Sequence, residues 1–353
     1  MPTPVAAAVK AQNISKLTRA LGKHRGPIPA QAIVNAAGLA WLPGLKLLRK
    51  HGADLNATFK NYRTIHALVQ EEPHKGGSST TARLKCLQWL LSHGADPEQM
   101  GAWPSARALV IAAFVGDRGY ADAIRDAGAR IDIFTAAALG DAKAVARFLA
   151  KDASLATARD GGLLTALQCC GGSKLGRSDA KAAHGLLECA RLLVDAGADV
   201  NAVTKSWGHG VTVSYFVIKS GQIDMLELLL DHGIDATVAV AAAAWDSRED
   251  ILDRLLARGA DLSRAFDHTK PVLSELVRWG QFKQARMLLK KGATPNVPDD
   301  KGWTTMHQAA SRGNVNMWED LLAAGGDVHV KDHAGVTPAQ MARFKNKMKY
   351  LQR

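Results

Sequence analysis

Residues 292–325 read GATPNVPDDKGWTTMHQAASRGNVNMWEDLLAAG, and this stretch decides the fold. Thr304 can cap a helix through its hydroxyl. Ala309 and Ala310 keep that helix thin enough to stack closely on a neighbour, and Gly313 permits a tight turn after it. Leu321 and Leu322 give a second helix its apolar face, which Gly325 can end in the left-handed conformation. Gly302 precedes the whole unit, and Gly292 and Gly325 stand 33 residues apart. Working outward, the same helix-ending glycine recurs at Gly52, Gly94, Gly128, Gly197, Gly233 and Gly259. Successive spacings are 42, 34, 69, 36, 26, 33 and 33 residues.

The order glycine, Thr-x-x-His, Ala-Ala-x-x-Gly, Leu-Leu-x-x-Gly resembles the ankyrin repeat, whose period is about 33 residues. The resemblance implies an all-α solenoid of stacked helix-turn-helix repeats joined by short β-hairpin loops. In composition the alanine-rich, Arg/Asp-rich repeats resemble bacterial ankyrin proteins, divergent from the consensus. A single array of about eleven helical units is expected over residues 1–353, with a divergent cap at 1–28 and a basic cap at 334–353. Helix pairs are expected at 4–22, broken near Gln12–Asn13, and at 29–51. Repeat three starts at Arg63–His66, four covers 105–128 and five, 132–152, is short. Repeat six starts at Thr165, seven covers 212–233, and eight, 236–259, lacks a hairpin, which explains the 26-residue spacing. Repeats nine and ten cover 271–292 and 304–325, and a last helix starts at Thr337–Pro338. The pattern departs from the family at Arg107 and Pro271 in the threonine slot, and at Gln168, Tyr215, Val240 and Ser274 in the histidine slot. Two inter-helix insertions, 71–83 and 171–185, are glycine-rich and basic, and mobile loops are expected there.

The formal charge of +12 is concentrated at the ends. Residues 1–53 carry eight Lys/Arg and no acid, residues 334–353 carry five and no acid, and the 280 between them sum to −1. Such ends could steer nucleic acid or acidic partners, or simply keep the capping units soluble. Nucleic-acid binding is disfavoured because the basic stretches sit at opposite termini without interleaved aromatics. No apolar run reaches the roughly 18–20 residues of a membrane span. The start, MPTPVAAAVKAQNISK, does not read as a signal peptide. A cytoplasmic monomer is the expectation.

His66 and His307 occupy the Thr-x-x-His slot, where the resemblance implies a structural hydrogen-bonding role. Cys86 and Cys189 share a core-facing slot with Tyr120, Met225, Ile251 and Met317, and Cys170 replaces a small alanine. With Cys169 they lack metal-ligand spacing, so no metal and no cofactor is expected. His329 and His333 flank a turn and read as solvated. No P-loop, G-x-S-x-G, G-x-G-x-x-G or H-E-x-x-H motif is present.

The resemblance places the functional surface at hairpin tips and at the two positions before each inter-helix glycine, which line a concave groove. Tip or loop candidates include Tyr62, Trp103, His268 and Lys270. The expected function is a non-enzymatic scaffold binding a protein or peptide, acidic ones included, between about residues 205 and 312. Trp207, His209, Lys219, Trp245, Arg278, Trp279, Trp303 and Arg312 are the candidate contacts, since tryptophan and arginine dominate binding hot spots. The alternative is an enzyme or small-molecule site around 205–280, with His209, Tyr215, Asp246 and Glu275 as acid–base candidates. An enclosed pocket with converging titratable groups would favour the alternative, and an open groove would not.

Overall fold

A computed structural model describes residues 3–70, 79–206, 209–263 and 270–342. Two compact bodies, Met1–Met225 and Leu226–Arg353, divide the chain. Each is a stack of short antiparallel helix pairs, so the chain is an all-α solenoid with small hairpins between repeats.

In the N-terminal body the opening pair is Pro4–Lys10 and Ile14–Lys23. Gln12 turns left-handed between them and Asn13 caps the second helix by accepting the Lys16 N–H at 2.8 Å. Further pairs are Ala30–Gly38 with Leu42–Lys50, Thr64–Gln70 with Thr80–Ser92, and Ala108–Val115 with Arg118–Asp126. Ile133–Leu139 pairs with Ala142–Lys151, and Ala166–Gly172 with Ala180–Asp195. Val213–Ser220 opens repeat seven. The hairpins are short: Thr58–Phe59 pairs with Tyr62–Arg63, and Thr204–Ser206 with His209–Val211. Gly101 bridges Ala106 around a cis Trp103–Pro104 peptide, and Arg159 bridges Thr165.

Small residues explain the close stacking. In Ala108–Val115 the residues from Ala108 to Ala113 are all buried, and in Ile133–Leu139 those from Ile133 to Ala138 are. The shared slot of the second helices is buried wherever it was expected: Cys86, Tyr120, Cys189, Met225, Ile251 and Met317. Burial pushes the Cys169 and Cys170 thiols well up from their ordinary range, so neither is poised as a nucleophile.

The C-terminal body contains Ala236–Trp245 with Glu249–Ala257, Val272–Arg278 with Phe282–Lys290, and Thr305–Arg312 with Val315–Ala323. A last turn, Pro338–Met341, is capped by Thr337. Repeat eight begins directly at its N-cap, Asp235, as its missing hairpin predicts. Its inter-helix turn uses Ser247 at φ 54° where repeat ten uses Gly313 at φ 69°. Charged side chains link neighbouring second helices: Glu227 pairs with Arg254 at 2.8 Å and Arg258 at 3.0 Å, and Arg286 with Asp320 at 2.6 Å. Exposed pairs of this kind contribute at most about 1 kcal/mol each.

The threonine-slot and histidine-slot residues join each repeat to the next hairpin. His307 accepts the Thr304 N–H at Nδ1 (3.0 Å) and donates from Nε2 to the Val336 carbonyl (3.1 Å). Gln168 reproduces both bonds with an amide, accepting from Thr165 N–H at 3.0 Å and donating to Ala202 O at 2.9 Å. His66 donates to Ala106 O at 2.9 Å, but Arg63 stands where threonine would, and its Nδ1 is left without a partner. Burial, aided by the nearby Arg63 charge and opposed by the Ala106 bond, lowers His66 from 6.5 to about 4. Arg107, in the threonine slot of repeat four, instead reaches Glu98 at 3.2 Å and Asp132 at 2.5 Å.

The 171–185 insertion differs from the loose loop expected of its glycines. It folds into a 3-10 turn at Leu175–Arg177, with Leu175 buried, and runs into the 16-residue helix Ala180–Asp195. Gly185 permits this, because a Cβ there would lie 2.3 Å from the Gly140 carbonyl oxygen. The 71–83 insertion lies mostly outside the described residues, as do His268 and the basic residues from Arg343 onward.

Candidate functional site

Two surfaces carry the candidate residues, one in each body. In the C-terminal body, Trp245 ends the first helix of repeat eight, Arg278–Trp279 ends that of repeat nine, and Arg312 ends that of repeat ten. Trp279 is 61% exposed. Its indole N–H donates to Glu275 at 3.0 Å, and Arg278 donates to the other oxygen of the same carboxylate at 3.0 Å. The Arg278 guanidinium carbon also stands 5.6 Å from the Trp279 ring centroid. One carboxylate thus fixes an exposed indole and the cation beside it. Arg312 donates to the Arg278 carbonyl, tying repeat ten to repeat nine at the same edge. Trp303 is half-buried, donates to Asp332 at 2.9 Å and stacks near His307, so part of its ring serves to join two hairpins.

Among the described side chains, the acid–base candidates make no hydrogen bond or ring contact with one another. Glu275 is occupied by Arg278 and Trp279, and Asp246 lies exposed at the end of the Trp245 helix. In the N-terminal body Tyr215 packs edge-on to Phe216, with the Lys219 ammonium 5.7 Å from its ring. His209 belongs to a hairpin strand, its side chain is outside the described residues, and Trp207 is outside them altogether. Among the described residues, no group of three or more His, Cys, Asp or Glu is arranged to hold a metal ion. No described helix is long and apolar enough to cross a membrane.

The second surface is a cavity of about 570 Å³ in the N-terminal body. Phe114, Tyr215 and Phe216 line it, together with Trp103 from the loop between Gly101 and Ala106. Lys174, Arg177 and Lys219 supply cations. Phe114 and Phe216 meet over the Gly171–Gly172 pair, their centroids 5.7 Å apart. A Cβ on Gly172 would lie 2.5 Å from the Phe114 ring, so the glycine is what lets that ring settle. Sequence reasoning found Trp103, Tyr215 and Lys219 separately but not their convergence. The signal available was the glycine pair ending a first helix where bulky residues are usual.

Comparison with known proteins bears on both surfaces. Residues 179–266 match a family model for ankyrin repeats in three copies, and residues 273–322 match one for ankyrin repeats in many copies. A protein of Treponema pallidum, described as ankyrin repeat-containing, is 28% identical over 137 residues, covering 36% of this chain and 46% of its own length. Human rabankyrin-5 is 32% identical over 154 residues, covering 43% of this chain and 12% of its own. The chain therefore spans less than half of either relative. The solved human ASB11 ankyrin repeat domain covers 63% of this chain and 96% of its own, with a TM-score of 0.43 and 22% identity. The similarity lies in the repeats, and neither matched model covers the loop that carries Trp103.

Proposed function

The chain is an ankyrin-repeat protein, and from that premise we propose that it is a non-enzymatic recognition scaffold for a protein or peptide. The reading takes the repeats as one array of about eleven units, working as a cytoplasmic monomer. The partner contacts the edge formed by Trp245, Arg278, Trp279 and Arg312, with Trp303 at its margin.

The observation that carries this reading is Trp279. An indole 61% exposed is costly to leave in water and is held in one orientation by Glu275. A fixed aromatic loses little conformational freedom on binding, which is why tryptophan and arginine concentrate binding energy. Arg278 and Arg312 beside it suit a partner that carries acidic groups.

The test is affinity capture with wild type and a Trp245→Ala/Trp279→Ala variant, at low and high salt, with captured partners cross-linked and mapped. Partner loss in the variant, retention in high salt and cross-links at repeats eight to ten support the reading. Capture that survives the substitutions but disappears in salt places the contact on charged surface elsewhere and sinks it.

A further inference from the structure

The geometry points to a second, independent recognition surface: in the N-terminal body, the groove beside Ala30–Gly38 takes an extended peptide and reads its main chain. Two adjoining cavities of about 520 and 420 Å³ form this groove, and Lys10, Gln31 and Asn35 line both. The larger is lined further by Val34, Leu39 and Phe59, and the smaller by Ala6, Ala7 and Ala11. Gln31 and Asn35 therefore stand where the two meet.

The helix leaves these two amides unused. Ala32, Ile33, Val34, Ala36, Ala37 and Gly38 are buried, while Gln31 and Asn35 are half-exposed. In repeat ten, Thr304 stands nine residues before the left-handed Gly313 and bonds His307 at 3.0 Å. Nine residues before the left-handed Ala40 stands Gln31, with Val34 in the histidine slot. The helix has already begun at Ala30, and its N-cap, Pro29, makes no side-chain bond, so Gln31 does not serve as a cap. Among the described residues, neither the Gln31 nor the Asn35 amide has a hydrogen-bond partner.

Their spacing selects the ligand's conformation. Residues four apart share one face of a helix and are offset along its axis by about 6 Å. In an extended chain the N–H and C=O of one residue point to the same edge, and that edge repeats every second residue, about 6.8 Å. A carboxamide both donates and accepts, so each one satisfies the main chain of one such residue. A strand laid along the helix thus meets Gln31 with one residue and Asn35 with the next but one. A helical peptide has spent those same groups internally and offers them nothing. Side chains of the strand alternate between its two faces. Val34, Leu39 and Phe59 suit a large apolar side chain on one face, and the alanines a small one on the other. Main-chain bonds then supply affinity while the flanking cavities supply specificity.

The probe is an acetylated, amidated pentapeptide of serines with one central phenylalanine, which anchors the register. It is titrated into the full chain and followed by saturation-transfer NMR and calorimetry. The expected result is saturable binding that weakens about tenfold when the phenylalanine becomes alanine. Methylating the amide nitrogens one at a time should weaken binding at alternate residues and leave it unchanged between them. Gln31→Ala/Asn35→Ala should weaken the parent peptide by about tenfold or more. Alanine favours the helix at both positions, and circular dichroism and melting establish that the variant folds. Raising salt from about 50 to about 300 mM should change affinity less than about twofold, since the contacts are neutral. Methylation costs that do not alternate, binding that ignores the two alanines, binding lost in salt, or no saturable binding would each overturn the assignment. Trp279→Ala should leave every titration unchanged, so failure here leaves the partner-binding reading standing.

Discussion

The Phe114 ring lies 5.7 Å from the Phe216 ring, centroid to centroid, although one ends the first helix of repeat four and the other lies in that of repeat seven. In a regular solenoid each repeat touches only its neighbours. Here the contact passes over Gly171 and Gly172, where a Cβ would meet Val213 and Val217 at 2.9 Å and Phe114 at 2.5 Å. Gly172→Ala should therefore destabilise the N-terminal body by about 1–3 kcal/mol through overpacking. In a Phe114→Ala background the same change should cost much less. Urea unfolding of the two single variants and the double variant measures that coupling, and additive costs would show that the glycine is not there for the ring.

His66 gives the fold a pH dependence with a defined sign. Its pKa is lowered from 6.5 to about 4 in the folded protein, so the unfolded chain binds the proton first as pH falls. Stability is complete above about pH 6.5 and is lost between about 6.5 and 4, by roughly 3 kcal/mol in total. His66→Gln should keep the bond to the Ala106 carbonyl, as Gln168 keeps its own to Ala202, and should flatten the curve in that window. Chemical unfolding at a series of pH values compares the two proteins directly.

Arg83 is a buried cation in the second helix of repeat three. It donates to the Gly38 carbonyl at 2.9 Å and from Nε to the Leu68 carbonyl at 3.1 Å, near the C-terminal ends of two neighbouring first helices. Helix C-termini carry partial negative charge and unsatisfied carbonyls, so a guanidinium fork suits both at once. Arg83→Met should cost about 3–5 kcal/mol by leaving buried carbonyls unmet. Arg83→Lys, with a point charge in place of the fork, should recover less than half of that in the same unfolding measurement.

Ser247 occupies the inter-helix turn of repeat eight at φ 54°, a conformation a side chain adopts at a cost. Ser247→Gly should stabilise the C-terminal body by about 1 kcal/mol. Hydrogen exchange of the helices on either side, Ala236–Trp245 and Glu249–Ala257, should slow accordingly. Unchanged exchange would mean that the left-handed turn is already relaxed by its surroundings.

The repeat architecture was legible because its signals are local. Gly313, Gly325 and the alanine pair at 309–310 state helix length and turn chirality in a few residues, and the slot shared by Cys86, Met225 and Met317 repeats with the helices. Gln168 in place of histidine looked like a departure, yet a side-chain amide offers the same acceptor and donor. The cavity was not legible, because it depends on side chains from four segments meeting across repeats. Lys174 and Arg177 were read as part of a mobile loop because glycine and charge usually mark one. What holds them is the set of carbonyls at the ends of Ala108–Val115 and Val213–Ser220, which no local pattern announces. Arg83 was missed for a similar reason: arginine in an amphipathic helix is ordinarily solvated.

The 3-10 turn at Leu175–Arg177 leaves a thermodynamic signature as well as a cavity wall. Stacked repeats ordinarily behave as a one-dimensional chain in which each unit melts with its immediate neighbours, and a break can propagate from any point. A segment that grips repeats four, six and seven at once adds coupling beyond nearest neighbours. The middle of the N-terminal body should then open as one block, with the flanking repeats fraying before it.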